Sequence, residues 1–389
     1  MNVIIAGAGI SGLATAISLR RSGHRVTIYE RSSLKNEVGA AINVPPNITR
    51  FLIPWGLDPI KYGFVVSKGV YFVSPTTLAE LGYHDHSHDA ETFGQPLYYA
   101  HRVDLHESLK KMATDPDGPG IPVTIHLKSG VSSYDPNIPS ITLQDGKVIT
   151  ADLVVASDGV NSDAPEVILG ETSHPEIQKR NGSIRIISVM AAGCLLIQRN
   201  RGDSFPTIVG NWHAAVDKSE ILELFAGYHP DLLAVINKAT EVKRWPLLYR
   251  PPIRTWHKGK LVLTGDAAHP MLPHYAQGGA QGIEDGLALG LVMHGVTDAS
   301  QIEERLVIYE KIRRNRAASI QVLSNFGYDE SHETIAKELS GLLEGRAVPT
   351  NLNERVDLAY SEDVLQRTVQ LMTEFDPSWK LPEGFFLPE

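Results

Sequence analysis

Three stretches of the chain share one pattern: a short unbroken apolar run, then a cluster of small and acidic residues, then the start of a helix. The first run is Val3-Ile4-Ile5-Ala6. It lacks polar alternation, which reads as a parallel strand buried on both faces. Apolar positions Ile10, Leu13, Ala14, Ile17 and Leu19 then recur at helical spacing up to Gly23, a helix stop. A second apolar strand, Val26-Thr27-Ile28-Tyr29, ends at Glu30. The next run, Leu153-Val154-Val155-Ala156, ends in Ser157-Asp158-Gly159 and leads to a helix start. The last, Leu261-Val262-Leu263-Thr264, ends in Gly265-Asp266. A rigid loop from Pro270 to Gln277 follows, then Gly278-Gly279 and a helix with Ile283, Leu287 and Leu291 on one face.

The remaining pattern is less regular. Pro45 and Pro46 bar a helix before Asn47, which reads as the N-cap of a short helix ending near Pro54. Residues 65–83 alternate and are β-rich, predicting antiparallel strands. The polar run with His84, His86 and His88 reads as a solvated hairpin tip and not as a metal site. A helix is expected from Arg102 to Ala113, a loop over 115–122, and strands over 121–127 and 141–150 with a turn at Asp145-Gly146. Short β-like runs occupy 184–189, 194–197 and 207–209; helices are expected over 219–225 and 230–238, and a strand over 242–249. The long helix over 301–324 carries Glu310, Arg313, Arg314 and Arg316, which read as a solvated charged face. From 346 the tail reads as helical, then Pro-rich and extended.

The length, 389 residues, corresponds to about two to three domains. At 42% hydrophobic and 21% charged, the composition is that of an ordinary globular protein. A net charge of -9 argues against nucleic acid or an anionic membrane as the main partner. It leaves a dinucleotide open, because helix dipoles and backbone amides hold phosphates without a basic surface. Cys194 is the single cysteine, so no intrachain disulfide forms, which fits a reducing compartment. The first strand begins at residue 2 or 3 and leaves no room for a leader, and no apolar run approaches the length of a membrane span. A cytoplasmic location is expected.

The small residues supply candidate chemistry. Gly7, Gly9 and Gly12 stand at G-x-G-x-x-G spacing between a strand and a helix. Gly7 allows the tight turn, Gly9 lets backbone approach a pyrophosphate, and Gly12 lets the helix pack close to the strand. Glu30, ending the next strand, is placed to accept hydrogen bonds from an adenosine ribose. The motif itself does not choose between FAD and NAD. Asp158 stands where parallel strands bind ligands, the alternative being a turn Asp. The small residues around Ala40 and Ala41 suit either close approach or a simple connector. Arg102 suits either a surface charge or a contact with a cofactor phosphate or ring edge. The Asp266–Gly279 stretch aims a close-approach loop and a helix N-terminus at something electron-rich. A flavin ring fits better there than a second phosphate, because reduced flavin carries negative charge.

In this order and at these separations, the three stretches resemble the FAD-dependent aromatic hydroxylases, the class A flavoprotein monooxygenases. Among these the chain looks most like the fungal branch related to salicylate hydroxylase, over about residues 2–170 and 212–325. The resemblance implies an α/β fold, with a Rossmann-type FAD-binding domain of mostly parallel sheet, a smaller antiparallel-sheet substrate domain and C-terminal helices. It divides the chain into an FAD-binding domain (1–70, 97–170 and 255–345), an apparently shortened substrate domain (71–96 and 171–254) and a C-terminal tail (346–389). It implies that Gly7, Gly9 and Gly12 hold the FAD pyrophosphate and Glu30 the adenosine ribose. Ala40 and Ala41 run past the flavin and Arg102 approaches the flavin or its phosphates. Asp158 and Gly159 serve both FAD and a transient NADPH or NADH, Asp266 takes the ribityl chain, and Pro273, Gln277, Gly278 and Gly279 line the ring. The implied reaction hydroxylates a phenolic or polyketide-like aromatic with dioxygen, through a flavin C4a-hydroperoxide, in a monomer or homodimer. His274 and Tyr275 are candidates for the base that ionises the phenol.

The chain departs from the family pattern at several points. Ala276 stands where the loop usually carries Gly, Ser157 where Ala or Gly is usual, and the basic residue often found after the Asp-Gly pair is missing in Ser162-Asp163-Ala164-Pro165. The segment 171–211 is short, and a Tyr-Arg pair common in relatives is not found in it. These features keep a second reading open: an uncoupled NAD(P)H oxidase or other flavin oxidoreductase, or a nonfunctional flavin-binding variant.

Overall fold

The computed structural model describes residues 1–35, 41–177, 185–187, 195–197, 217–238, 248–326 and 331–387. Its centre is a six-stranded sheet in the order His257–Lys258, Leu261–Leu263, Leu153–Ala156, Asn2–Ala6, Arg25–Tyr29, Thr124–His126. All neighbours run parallel except the His257–Lys258 edge, which pairs antiparallel with Leu261–Leu263. Val3 lies between Leu153 and Val26 in register. The apolar runs are therefore central strands, and Ile5, Ile28, Val155 and Val262 are buried in one core. The α/β class with a mostly parallel sheet is as the sequence predicts.

Helix Ile10–Arg21 packs closely against helix Gly278–Met293. Gly282, Gly286 and Gly290 face Ser11, Thr15 and Ser18, and a Cβ on Gly286 would stand 2.5 Å from the Thr15 backbone nitrogen. Serine hydroxyls seal the seam: Ser11 donates to the Gly282 carbonyl and Ser18 to that of Leu287, each at 3.1 Å. This seam fixes the N-terminal end of the second helix beside the first glycine loop.

Smaller antiparallel units surround the sheet. Ala41–Val44, Tyr98–His101 and Val65–Val66 form one. Val131–Asp135, Ser140–Leu143 and Val148–Thr150 form another, with the expected turn at Gly146. Gly69–Val73 pairs with Glu80–Asp85. Two further short pairs join Glu176–Ile177 to Leu248–Tyr249 and Arg185–Ile187 to Leu195–Ile197. The runs expected at 207–209 and 242–247 lie outside the described residues. No helix among the described residues is long and apolar enough to cross a membrane.

Four expectations are corrected. The helix after Val44 spans Pro46–Leu52, with Pro46 inside its first turn, because Pro lacks only an N–H that the first turn leaves unpaired anyway. Asn47 is thus a helical residue and not a cap, and its side chain turns to distant partners instead. The histidine run is no hairpin tip: that turn lies between Val73 and Glu80, and His86 is buried against Asp89 at 2.8 Å. No metal-ligating group occurs among the described residues. Helix Ile302–Asn325 does not present Arg313 and Arg316 to solvent, because both point into the core and find acids there. The tail does not end extended. Phe385 lies in the main core, Arg21 donates to the carbonyls of Trp55 and Phe385, and the Leu387 N–H donates to Pro54.

Candidate functional site

The three sequence stretches come together because their strands are neighbours. The Gly7 N–H donates to the Tyr29 carbonyl at 2.8 Å, Ser157 to Ala6 at 2.9 Å, and Thr264 to Ala156 at 3.0 Å. Glu30, Asp158 and Asp266 therefore leave the sheet at its carboxyl edge, where parallel sheets take ligands.

The glycine loop fits its expected geometry. Gly7 has φ +97°, and a Cβ there would stand 2.5 Å from the Ser157 carbonyl oxygen. A Cβ on Gly12 would strike the Gly7 carbonyl, whereas one on Gly9 would meet nothing within 4 Å. Gly9 is also the N-cap of helix Ile10–Arg21 and brings no capping side chain, so the positive end of that helix faces the opening. The buried Glu30 carboxylate accepts the Ala8 and Ser32 N–H groups, each at 2.7 Å. His106 Nε2 donates to the Ala8 carbonyl at 2.7 Å and braces the loop from helix Arg102–Thr114.

Asp158 and Asp266 are held differently. Asp158 accepts the Tyr134 hydroxyl at 2.6 Å, and burial pushes its carboxyl up. Gly159 follows at φ +87°. Asp266 lies in the short turn Gly265–Ala267 and keeps an exposed side chain, yet enough protein surrounds it to push its carboxyl up. His269, Arg102 and Arg250 oppose that rise and Asp285 adds to it. Arg102, the first residue of its helix, is thus near enough to favour the charged form of Asp266.

Beneath this turn runs a buried polar network. Asp285 Oδ2 accepts the Gly265 N–H at 2.8 Å and His269 Nε2 at 2.6 Å, while Asp285 Oδ1 accepts Arg313 Nε at 2.9 Å. Burial would push the Asp285 carboxyl up, but His269 and Arg313 hold it below its usual range. Glu284 is shared by Arg313 at 2.6 Å, Arg316 at 3.2 Å and Asn47 Nδ2 at 2.5 Å. Asn47 Nδ2 also reaches Gln277 Oε1 at 3.3 Å.

The loop beside the network is tightly turned. Pro273 opens a 3-10 turn through Tyr275, and Ala276 closes it in the left-handed region at φ +51°. Gln277 is the N-cap of helix Gly278–Met293 without a capping side chain. A Cβ on Gly279 would stand 3.1 Å from Ile42 Cδ1, which ties this helix start to strand Ala41–Val44. Ala41 is exposed, and Ala40 lies outside the described residues. His274 is buried, which holds its imidazole below its ordinary value. Tyr275 packs against the cluster of Ile320, Ala359 and Tyr360.

The polar atoms of Gln277 Nε2, Asn47 Oδ1, Ser157 Oγ and His269 Nδ1 are buried without a hydrogen-bond partner among the described residues. Such atoms are rare in folded proteins and mark places where another group completes the pairing. Together with the open space at Gly9 and the uncapped start at Gly278, they suit an elongated polar cofactor. His106, Tyr134, Arg250 and Glu284-Asp285 do not stand out in the sequence, and Asn47 stands out only as a helix cap. The Glu284-Asp285 pair inside an otherwise apolar helix is the signal that could have found the network.

A family model described as an FAD binding domain matches residues 209–324, and one described as an NAD(P)-binding Rossmann-like domain matches residues 5–34. The chain is similar to the FAD-dependent monooxygenase cfoG of Aspergillus candidus, at 42% identity over 428 aligned positions that cover 99% of this chain and 98% of the relative. Those positions outnumber the 389 residues, so the relative carries residues that this chain lacks. It is also similar to hispidin-3-hydroxylase of Neonothopanus nambi, at 31% identity over 88% of this chain and 90% of the relative. Among solved structures, a salicylate hydroxylase substrate complex shares the fold with a TM-score of 0.71 at 20% identity, covering 95% of this chain and 98% of that one.

Proposed function

The chain belongs to the FAD-dependent monooxygenases, and from that premise we propose that it hydroxylates a phenolic or polyketide-like aromatic at the carboxyl edge of its parallel sheet. The observation that carries this reading is the convergence at one edge of three strand ends, two uncapped helix starts and a set of unpaired buried polar atoms. A phenolic substrate is supported by the names of the relatives, which include hispidin-3-hydroxylase and 3-hydroxybenzoate 6-hydroxylase 1.

The residues present fit FAD. Gly7, Gly9 and Gly12 with the start of helix Ile10–Arg21 would hold its pyrophosphate. Glu30 spends one lone pair of each oxygen on Ala8 and Ser32 and keeps others for ribose hydroxyls. Asp266 would accept a ribityl hydroxyl, Arg102 would approach a phosphate or the ring, and Pro273, Gln277, Gly278 and Gly279 would line the ring, with Ala41 passing beside it. Asp158 and Gly159 would serve both FAD and the visiting NADPH or NADH. Bound FAD, reduced by NAD(P)H, supplies the activation of dioxygen and the transfer of one oxygen atom to the ring.

The chain itself supplies position, charge and dryness. The uncapped helix start at Gly278 would stabilise negative charge on a bound flavin ring. His274, whose imidazole burial holds below its ordinary value, would be the candidate to accept a phenol proton in this reading, with Tyr275 next to it in the loop. Residues 71–96 and 171–254 form the covering unit in this reading, with 1–70, 97–170 and 255–345 as the cofactor-binding unit.

The test is a visible spectrum of the purified protein after FAD is added and the excess removed. Oxidised-flavin bands that bleach under NADPH or NADH without oxygen are expected. A protein that retains no flavin would overturn the reading.

A further inference from the structure

Arg250 follows strand Leu248–Tyr249 and is 2% exposed. It forms no ion pair among the described residues. Its Nη1 donates to the Ala267 carbonyl at 3.1 Å and its Nη2 lies 3.5 Å from the Val160 carbonyl, while Nε has no partner among the described residues. A buried guanidinium held only by carbonyls is costly unless a nearby negative charge makes use of it. Its two carbonyl partners are informative. Val160 follows Asp158-Gly159, and Ala267 follows Gly265-Asp266. One side chain therefore ties together the two turns that carry the acids.

We propose that Arg250 is a positioning residue for the cofactor, clamping the Asp158 turn to the Asp266 turn and keeping a positive charge against the Ala267 carbonyl that follows Asp266. This inference rests on the FAD reading above. The clamp is held from behind, because Gln321 Nε2 donates to the Arg250 carbonyl at 2.8 Å and to the Pro270 carbonyl at 3.0 Å. The groups acting on Asp266 are His269 on its own turn, Arg102 from helix Arg102–Thr114, Asp285 from helix Gly278–Met293, and Arg250. Burial pushes the Asp266 carboxyl up, and His269, Arg102 and Arg250 resist it. Burial likewise works against the charge on Arg250, which Glu166 and Asp266 favour.

An ionised Asp266 accepts hydrogen bonds from cofactor hydroxyls and a protonated one accepts fewer. FAD is therefore released as pH falls through the Asp266 pKa, and loss of Arg250 raises that pKa.

The experiment follows FAD release from the purified holoenzyme between pH 4 and pH 8, by recovery of free-flavin fluorescence. In Arg250→Met the acid limb is expected to move up by about one pH unit, and retention at pH 7.5 to weaken about tenfold. Arg250→Lys keeps the charge without the fork, so its acid limb stays in place while retention weakens. Thermal melts of each variant report the fold separately. If Arg250→Met does not fold, Arg250→Gln carries the same expectation. An acid limb in Arg250→Met (or Arg250→Gln) at the wild-type position overturns the proposal, as does a shifted limb in Arg250→Lys. A wild-type protein that holds no FAD overturns the FAD reading instead.

Discussion

Arg313 and Glu284 form a 2.6 Å ion pair in which neither side chain exposes any surface. The same guanidinium reaches Asp285 at 2.9 Å, so one cation serves two buried acids of helix Gly278–Met293. Removing it leaves both acids with reduced compensation in a dry interior. Arg313→Met is expected to lower the free energy of unfolding by roughly 3–5 kcal/mol, read by urea denaturation. Adding Glu284→Gln removes one stranded charge and is expected to recover part of the loss. Additive effects of the two substitutions would show that the pair is not coupled.

His24 is a second buried titratable group, with Nε2 donating to the Met293 carbonyl at 2.9 Å. Burial lowers its pKa to about 4. The unfolded chain takes up the proton near pH 6.5 and the folded chain only near 4, so between these values the unfolded state binds more protons and stability falls as pH falls. From pH 7 to pH 5 this one group is expected to cost about 2 kcal/mol. His24→Gln has no proton to take up, and the pH dependence of unfolding between pH 5 and pH 7 is expected to flatten by that amount. An unchanged slope would show that other groups carry it.

Ala276 occupies a backbone conformation that favours glycine, at φ +51° and ψ 29°. The left-handed region costs a residue with a Cβ about 1 kcal/mol, while glycine costs a similar amount in unfolded-chain entropy. Ala276→Gly is therefore expected to change stability by less than about 1 kcal/mol and to leave FAD retention intact. Ala276→Val places a β-branched residue where it fits badly and is expected to cost roughly 2 kcal/mol and weaken flavin retention. Equal flavin retention in the two variants would mean that the turn does not shape the site.

The parts legible in the sequence are those where neighbouring residues decide the outcome. The Val3–Ala6 strand, the Gly7 turn and the start of helix Ile10–Arg21 follow from local pattern, and the structure has them at the expected residues. The Leu153 and Leu261 strands were equally plain, and their adjacency brings Asp158 and Asp266 to one edge. What could not be read depends on distant partners. Arg313 and Arg316 look like solvent-facing charges until Glu284 and Asp285 are seen behind them. Asn47 looks like a cap because its partners, Gln277 and Glu284, lie far along the chain. Arg250 is held by carbonyls, which leave no mark in a sequence. Most of the segment 171–211 lies outside the described residues.

The most direct test of monooxygenation is oxygen labelling. Purified holoenzyme is given NADPH or NADH, a panel of phenols and polyketide-like aromatics, and labelled dioxygen, and products are read by mass spectrometry. A ring-hydroxylated product carrying one labelled oxygen atom for each NAD(P)H consumed is expected. NAD(P)H consumption matched by hydrogen peroxide with every aromatic, and no label in any product, would contradict it.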